Sequence, residues 1–270
     1  RLIAEQIQRL GRANYKDATI FESEFFFMSR KTRLLSLANF YFFITLILIG
    51  IIGWFIYTPS LTAPFVFDDL MNIAENRFIR FSDISWEEIK LVLKGVSSSR
   101  PLAMISFGLN YFFHEYDLFG YHLINLLIHL ATGLLVFTIT KQTLHLMGGK
   151  NTRFHLIALL AALLWMVVPI HTQSVTYTVQ RMNTLAAFFY LLSLTCYIQA
   201  RNISLRIGRH KKTIVILLWM ISLLSGLAGL ASKPTAATLP VILLAYEWYF
   251  FQDLDRAWIV GRRWWLYASV

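Results

Sequence analysis

The apolar positions of this chain fall into long unbroken runs, not into the strict alternation of a half-buried strand or the one-sided stripe of a surface helix. Leu37 to Tyr57 is the first run, about twenty residues, which at ~1.5 Å each cover the ~30 Å hydrocarbon layer of a bilayer. Further runs at Tyr121–Thr140, His155–Val168, Thr184–Gln199, Thr213–Ala231 and Thr235–Phe251 are joined by short connections and predict six spans in all. Arg262-Arg263-Trp264-Trp265 reads as the aromatic-flanked start of a seventh. The expected fold is all-α, a polytopic helical membrane protein. Its parts are a cytoplasmic tail (1–36), the first span (37–57), a long outer loop (58–120), spans two to six (121–251) and a cytoplasmic segment leading into a seventh span (252–270). Residues 1–27 are polar and show no signal-peptide pattern, so Met28 is read as the biological start, with a cytosolic amphipathic tail as the alternative. The chain reads as a fragment of a longer protein.

Within the outer loop, Ser85-Trp-Glu-Glu88 has the form of a capping box, which predicts a short helix from Trp86 to Lys94 ended by Gly95. A second helix is expected to start at Pro101, because proline is tolerated in a first turn. It carries Leu102, Ile105, Leu109, Phe112 and Phe113 and is too short to span, so it is expected to lie along the membrane surface.

Composition agrees with the pattern. The chain is 57% hydrophobic and 15% charged, against about 25% charged in soluble domains. A net charge of +10 would suggest nucleic acid in a soluble protein, but eighteen of the 25 Lys and Arg residues fall in the segments assigned to the inside. That is the positive-inside bias of membrane topology, with the N-terminus cytoplasmic, and nucleic-acid binding is not expected. The outer loop holds eight of the fifteen acidic residues. A single cysteine, Cys196, excludes an intrachain disulfide and a Cys-based metal site.

Three clusters could carry chemistry. In Phe-Val-Phe-Asp68-Asp69, two adjacent carboxylates near low dielectric repel each other, which raises the pKa of one towards that of a general base; the plainer reading makes one of them a helix cap. His122, Asn125 and His129 share one face of a span and either line a wet cavity or glue helices together. Pro169-Ile-His171-Thr-Gln173-Ser-Val-Thr-Tyr-Thr-Val-Gln180-Arg181 follows a run of about fourteen apolar residues, roughly 21 Å, so its polar groups begin below the outer surface and predict a crevice there. Arg181 and Lys233 are the two basic residues on the short outer turns. Either they meet a phosphate at headgroup depth, with Arg100 as a third candidate, or they snorkel. No metal site and no cofactor are predicted, a divalent metal being left open. P-loop, dinucleotide, zincin and G-x-S-x-G motifs are missing from the sequence.

Taken in order, Phe-Val-Phe-Asp68-Asp69, Arg100-Pro-Leu, Leu109-Asn-Tyr111, Tyr121-His-Leu-Ile-Asn125-Leu-Leu-Ile-His129, Pro169-Ile-His171-Thr-Gln-Ser-Val-Thr-Tyr, Gln180-Arg181 and Ser232-Lys-Pro-Thr-Ala-Ala-Thr-Leu-Pro240 resemble the membrane half of the transmembrane and tetratricopeptide-repeat O-mannosyltransferases and their prokaryotic relatives. The resemblance covers roughly 37–251 and implies a C-type (GT-C) glycosyltransferase fold. It further implies a polyprenyl-phosphate sugar donor, a protein or glycan hydroxyl acceptor, and a bacterial inner-membrane location. On that pattern Asp68 and Asp69 form the catalytic acidic motif, with Asp68 as the base. By their charge and depth, Arg181, Lys233 and Arg100 would face the donor phosphate, and by their place in the polar runs His122, Asn125, His129, His171, Gln173 and Gln180 would line the cavity. Two departures stand out: Pro234 occupies a place where many relatives are acidic, and the repeats expected after the membrane part are missing from the sequence. The rival readings are a non-catalytic GT-C-like subunit that binds a lipid carrier or a protein, and a secondary transporter. The latter is disfavoured because the acids lie in a loop.

Overall fold

The computed structural model describes residues 40, 43–95, 99–148, 153–206 and 212–261. The expected Met28 start, the whole cytoplasmic tail (1–36) and the seventh-span motif lie outside them. By internal contacts the chain divides into Arg1–Ile47 and Leu48–Val270, and every candidate residue belongs to the second unit.

Helices occupy each stretch predicted to be a span, and among the described residues there is no strand. The first, α1, is Phe43–Ser60. In the outer loop come α2 (Trp86–Lys94) and α3 (Pro101–His114). They are followed by α4 (Leu118–Gly148), α5 (Arg153–Val167) and the short α6 (Thr172–Thr176). The chain then forms α7 (Arg181–Arg206), α8 (Lys212–Ser232), α9 (Leu239–Phe250) and α10 (Arg256–Gly261). Three of the described helices, α1, α4 and α8, are long and apolar enough to cross a membrane, and a fourth span results if α5 and the bent segment Pro169–Thr176 count as one. Six spans were expected. At 26 residues α7 is long enough, but Asn183, Thr184, Ser193, Thr195 and Gln199 dilute its apolar run. The 12 residues of α9 cover only about 18 Å, short of the hydrocarbon thickness. The molecule is thus an all-α integral membrane protein.

The helix α7 packs most extensively against α8, and α4 packs against both α5 and α7. Small residues make the α7–α8 contact close. The Ser193 and Ser222 hydroxyls each donate to the other residue's carbonyl, at 2.7 and 2.9 Å. A Cβ on Gly226 would lie 3.7 Å from Ser193 Oγ, and one on Gly229 3.7 Å from the Ala186 carbonyl. In a bilayer, where lipid is as apolar as leucine, such close backbone packing and interhelical hydrogen bonding replace the hydrophobic drive.

The outer loop is part of this bundle. Ile73, Ile79, Phe81, Met104 and Phe107 form one core cluster with Tyr121 of α4 and Met182 of α7. As expected, α2 runs from Trp86 to Lys94 with Ser85 accepting from the Glu88 amide at 3.4 Å. The return bond of a capping box is not made: Glu88 Oε1 instead accepts from the Ser82 amide and hydroxyl, at 3.1 and 2.8 Å, and so ties down the loop before the helix. Proline does open α3, but this helix does not merely lie on a surface. Ala103, Met104, Phe107, Gly108 and Asn110 are buried, with a Gly108 Cβ able to come only 2.6 Å from the Phe81 ring, while Phe112 and Phe113 face outward.

Candidate active site

The acidic motif is folded so that its two carboxylates point to different environments. Phe67 adopts φ +47°, a left-handed step that costs a non-glycine residue roughly 1–2 kcal/mol and is held only where the surroundings insist on it. Asp69 is 1% exposed. Its Oδ2 accepts from the Val66 amide at 3.1 Å and its Oδ1 from the Val179 amide at 2.6 Å. It is therefore neither a helix cap nor a free acid; it pins the acidic turn to a segment 110 residues away. Burial raises its carboxyl above the usual range, partly offset by the two amides and by nearby His122. The raised group is the buried one, and desolvation, not repulsion from Asp68, is the cause. Asp68 is exposed, its carboxylate is engaged in no ion pair among the described residues, and its own amide donates to the Tyr177 phenol oxygen at 2.9 Å.

Arg181 is fully buried. Nε donates to Asn125 Oδ1 at 2.7 Å, Nη1 to the Ser106 carbonyl at 3.2 Å, and Nη2 to Asn110 Oδ1 and the Tyr121 carbonyl, both at 2.8 Å. The guanidinium also sits 4.6 Å from the Phe107 ring centroid and 5.6 Å from that of Tyr121. With the side chain enclosed and four N–H groups committed, no face remains for a phosphate, and the sequence expectation is corrected. Arg181 instead joins the start of α7 to α3 and α4. A buried cation normally needs an anion; here neutral oxygens and two aromatic faces stand in for one.

Lys233 and Arg100 are different. Both are half-buried at the outer ends of α8 and α3. Lys233 Nζ donates to Asn183 Oδ1, and Arg100 Nη1 lies 3.1 Å from Met182 Sδ, while Arg100 Nε is buried without a partner. Burial and the neighbouring Arg100 lower the Lys233 ammonium below the usual lysine value. Pro234 opens the next turn, so no carboxylate follows Lys233, and neither cation is in an ion pair among the described residues. Two cations converge with nothing anionic between them, which suits an anion supplied from outside.

The polar face of α4 serves mainly to join segments. His122 Nε2 lies 2.9 Å from the Ala63 carbonyl, and Asn125 Nδ2 reaches the Thr178 carbonyl at 3.2 Å while its oxygen holds Arg181. His129 is buried and stacks on Trp165 at 4.7 Å, with His171 5.6 Å from it. Of the six residues expected to line a cavity, these three are enclosed in protein, with His122 Nδ1 and His129 Nε2 left without a hydrogen-bond partner among the described residues. His171 is half-buried, Gln173 is exposed, and Gln180 is bonded to Asn183. Among the described residues no three His, Cys, Asp or Glu side chains gather as metal ligands.

The structure brings these groups together through one segment, 177–183. Tyr177 and Val179 hold the acidic turn at one end, Arg181 anchors the middle, and Met182 and Asn183 touch Arg100 and Lys233 at the other. Sequence reasoning missed Tyr177, Asn110 and Val179. Tyr177 stood within the polar run already singled out, whereas a backbone amide such as that of Val179 carries no side-chain signal.

The architecture and site define a helical integral membrane protein in which the segment 177–183 links an exposed Asp68 to the half-buried Arg100 and Lys233. No family model and no solved structure matches the chain. Curated proteins do. The human protein O-mannosyl-transferase TMTC4 is 31% identical over 192 residues, which is 64% of this chain and 25% of the human protein. Its mouse counterpart is 30% identical over 229 residues, 77% of this chain and 30% of that protein. Protein O-mannosyl-transferase F38B6.6 of Caenorhabditis elegans is 29% identical over 188 residues, covering 67% of this chain and 25% of the worm protein. The chain is thus similar to protein O-mannosyl-transferases over 64–77% of its own length, and it spans about a quarter of the length of the relatives it matches.

Proposed function

We propose that the chain is the membrane catalytic part of a glycosyltransferase that moves a mannose-like sugar from a polyprenyl-phosphate carrier to a serine or threonine hydroxyl of a protein. The reaction takes place on the extracytoplasmic face, with the N-terminus in the cytoplasm and a bacterial inner membrane as the host bilayer. The names of the relatives, protein O-mannosyl-transferases, support the transfer of mannose to protein. The observation that carries the mechanism is the contrast between a pinned, buried Asp69 and an exposed Asp68.

In this reading Asp68 takes the proton of the acceptor hydroxyl as its oxygen forms the new bond to the anomeric carbon. The bond from that carbon to the carrier phosphate breaks, and the phosphate leaves with the electron pair. Its growing charge is met by Arg100 and Lys233, which need no reorganisation to receive it. Six residue steps of helical backbone separate Tyr177 from Asn183, roughly 10 Å, a spacing that suits a base at one end of a sugar and a phosphate at the other.

The test is transfer of labelled sugar from polyprenyl-phosphate mannose to acceptor peptides by the purified protein. Asp68→Asn keeps the side chain's size but cannot accept a proton, and is expected to lose about 10²–10⁴-fold in rate while still binding donor. Undiminished transfer by Asp68→Asn would sink the mechanism; absence of transfer by the intact wild type across donors would favour a binding-only subunit.

A further inference from the structure

Beyond the two acids and two cations, we infer that Tyr177 is a positioning residue, which keeps the acidic turn in its left-handed conformation and so holds Asp68 outward towards the acceptor. The inference rests on the enzyme reading only for its catalytic consequence, because the conformational claim stands by itself.

Three observations converge on this side chain. Phe67, the residue before Asp68, has φ +47° and is 82% exposed, so an aromatic residue occupies a backbone conformation better suited to glycine with no burial of its own ring to compensate. The amide immediately after it, that of Asp68, donates to the Tyr177 oxygen at 2.9 Å. The Tyr177 ring meets the Phe67 ring edge-on, centroids 6.4 Å apart, from a position 110 residues further along the chain. Asp69 anchors the far side of the same turn through Val66 and Val179. Two fasteners therefore grip the turn on either side of Asp68, one a carboxylate and the other this phenol.

The phenol oxygen accepts from the Asp68 amide, and its own proton is directed towards the Asp68 carboxylate. Burial raises the Tyr177 hydroxyl above its ordinary value, so the proton stays in place at any working pH. Without the phenol, the turn can relax at Phe67 and swing the carboxylate away from its aim. A displacement of about 1 Å at a reacting group can cost up to roughly a hundredfold in rate.

The experiment uses the full chain in detergent or liposomes with two readouts. Asp68→Cys is labelled with a membrane-impermeant maleimide in the presence and absence of Tyr177→Phe, with Glu87→Cys as an exposed reference and the buried native Cys196 as background. Tyr177→Phe is expected to change labelling at position 68 several-fold and leave position 87 unchanged. In the transfer assay, Tyr177→Phe should lower kcat roughly ten- to a hundredfold with KM for donor nearly constant. Adding Phe67→Gly, which removes the conformational penalty, should recover part of the loss.

Wild-type labelling and transfer by Tyr177→Phe would overturn the inference. So would equal changes at positions 68 and 87 with no recovery from Phe67→Gly, the mark of a general loosening. Transfer that does not depend on Asp68 would instead defeat the enzyme reading, and the labelling comparison, which needs no activity, would still decide the role of Tyr177.

Discussion

The two ends of α7, the Arg181 end (outer in the proposed topology) and the Arg201 end (inner), handle charge in opposite ways. At the inner end, Arg201 is joined to Glu247 of α9 by Nε at 2.9 Å and Nη2 at 2.5 Å, Tyr197 donates to the same carboxylate at 2.7 Å, and Gln252 donates to it at 2.7 Å. Arg201, Tyr197, Gln252 and Glu247 all find their partners in one another there. At the outer end Arg181 is buried among neutral oxygens, Arg100 and Lys233 face each other without an acid, and Asp68 stands exposed. A closed cluster holds helices together and has nothing left to offer a ligand. An open one keeps charge in reserve, and the bundle accepts the cost of Arg181 to hold the open groups in place.

Perturbing the two ends separates these roles. The largest loss of stability is expected from Arg181→Ala, which strands Asn125, Asn110 and two carbonyls and leaves a cavity between α3, α4 and α7. About 3–5 kcal/mol should be lost, read as a lower melting midpoint in detergent and as poor membrane yield. Near-native melting would mean that the hub carries no structural weight. Next comes Glu247→Ala at the inner end. Leaving Arg201 without its partner should cost about 2–4 kcal/mol, tempered by the partial exposure of Arg201, with the transfer rate of the folded fraction preserved. A loss of kcat without a loss of stability would contradict the division of labour.

Smaller in free energy, Arg100→Ala or Lys233→Ala should leave melting almost unchanged while weakening donor binding about ten- to hundredfold, the worth of a charge-assisted phosphate contact of ~1.5–3 kcal/mol. Because burial and Arg100 depress the Lys233 ammonium, its charge is present at low pH and lost as pH rises through that lowered value. Donor binding by the wild type should therefore decline at a pH below the ordinary lysine range, and Lys233→Arg should abolish that decline. A titration of donor affinity against pH checks both. The smallest effect is expected on the surface of α2, where the Lys90–Glu87 pair at 2.7 Å is largely in water. Glu87→Ala should change stability by at most about 0.5 kcal/mol and transfer not at all.

Much of the fold was legible because it depends on local pattern. Charge-free runs marked the helices, Ser85 and Gly95 marked the ends of α2, and Pro101 marked the start of α3. The outward Phe112 and Phe113 of α3 agree with an aromatic face turned to the headgroups, whereas the burial of its other face, Ala103, Met104, Phe107 and Gly108, depends on distant segments and was not legible. The acidic pair, the outer cations and the polar face of α4 could be picked out as unusual for their surroundings. Their roles could not be assigned in the same way: Arg181 and Lys233 look alike in sequence, yet one is sealed inside and the other remains at the edge.

By itself the sequence determined that this is a helical membrane protein with eight of its fifteen acidic residues in one long loop, since hydrophobic run length and charge placement are properties of neighbouring residues. Which aspartate is buried, which cation stays free and what holds the acidic turn were decided only in three dimensions. Those outcomes rest on contacts between segments 56 to 110 residues apart, Arg181 with Asn125 and Asp69 with Val179. Burial and hydrogen bonding belong to such meetings of distant segments, and no local window of the chain contains them.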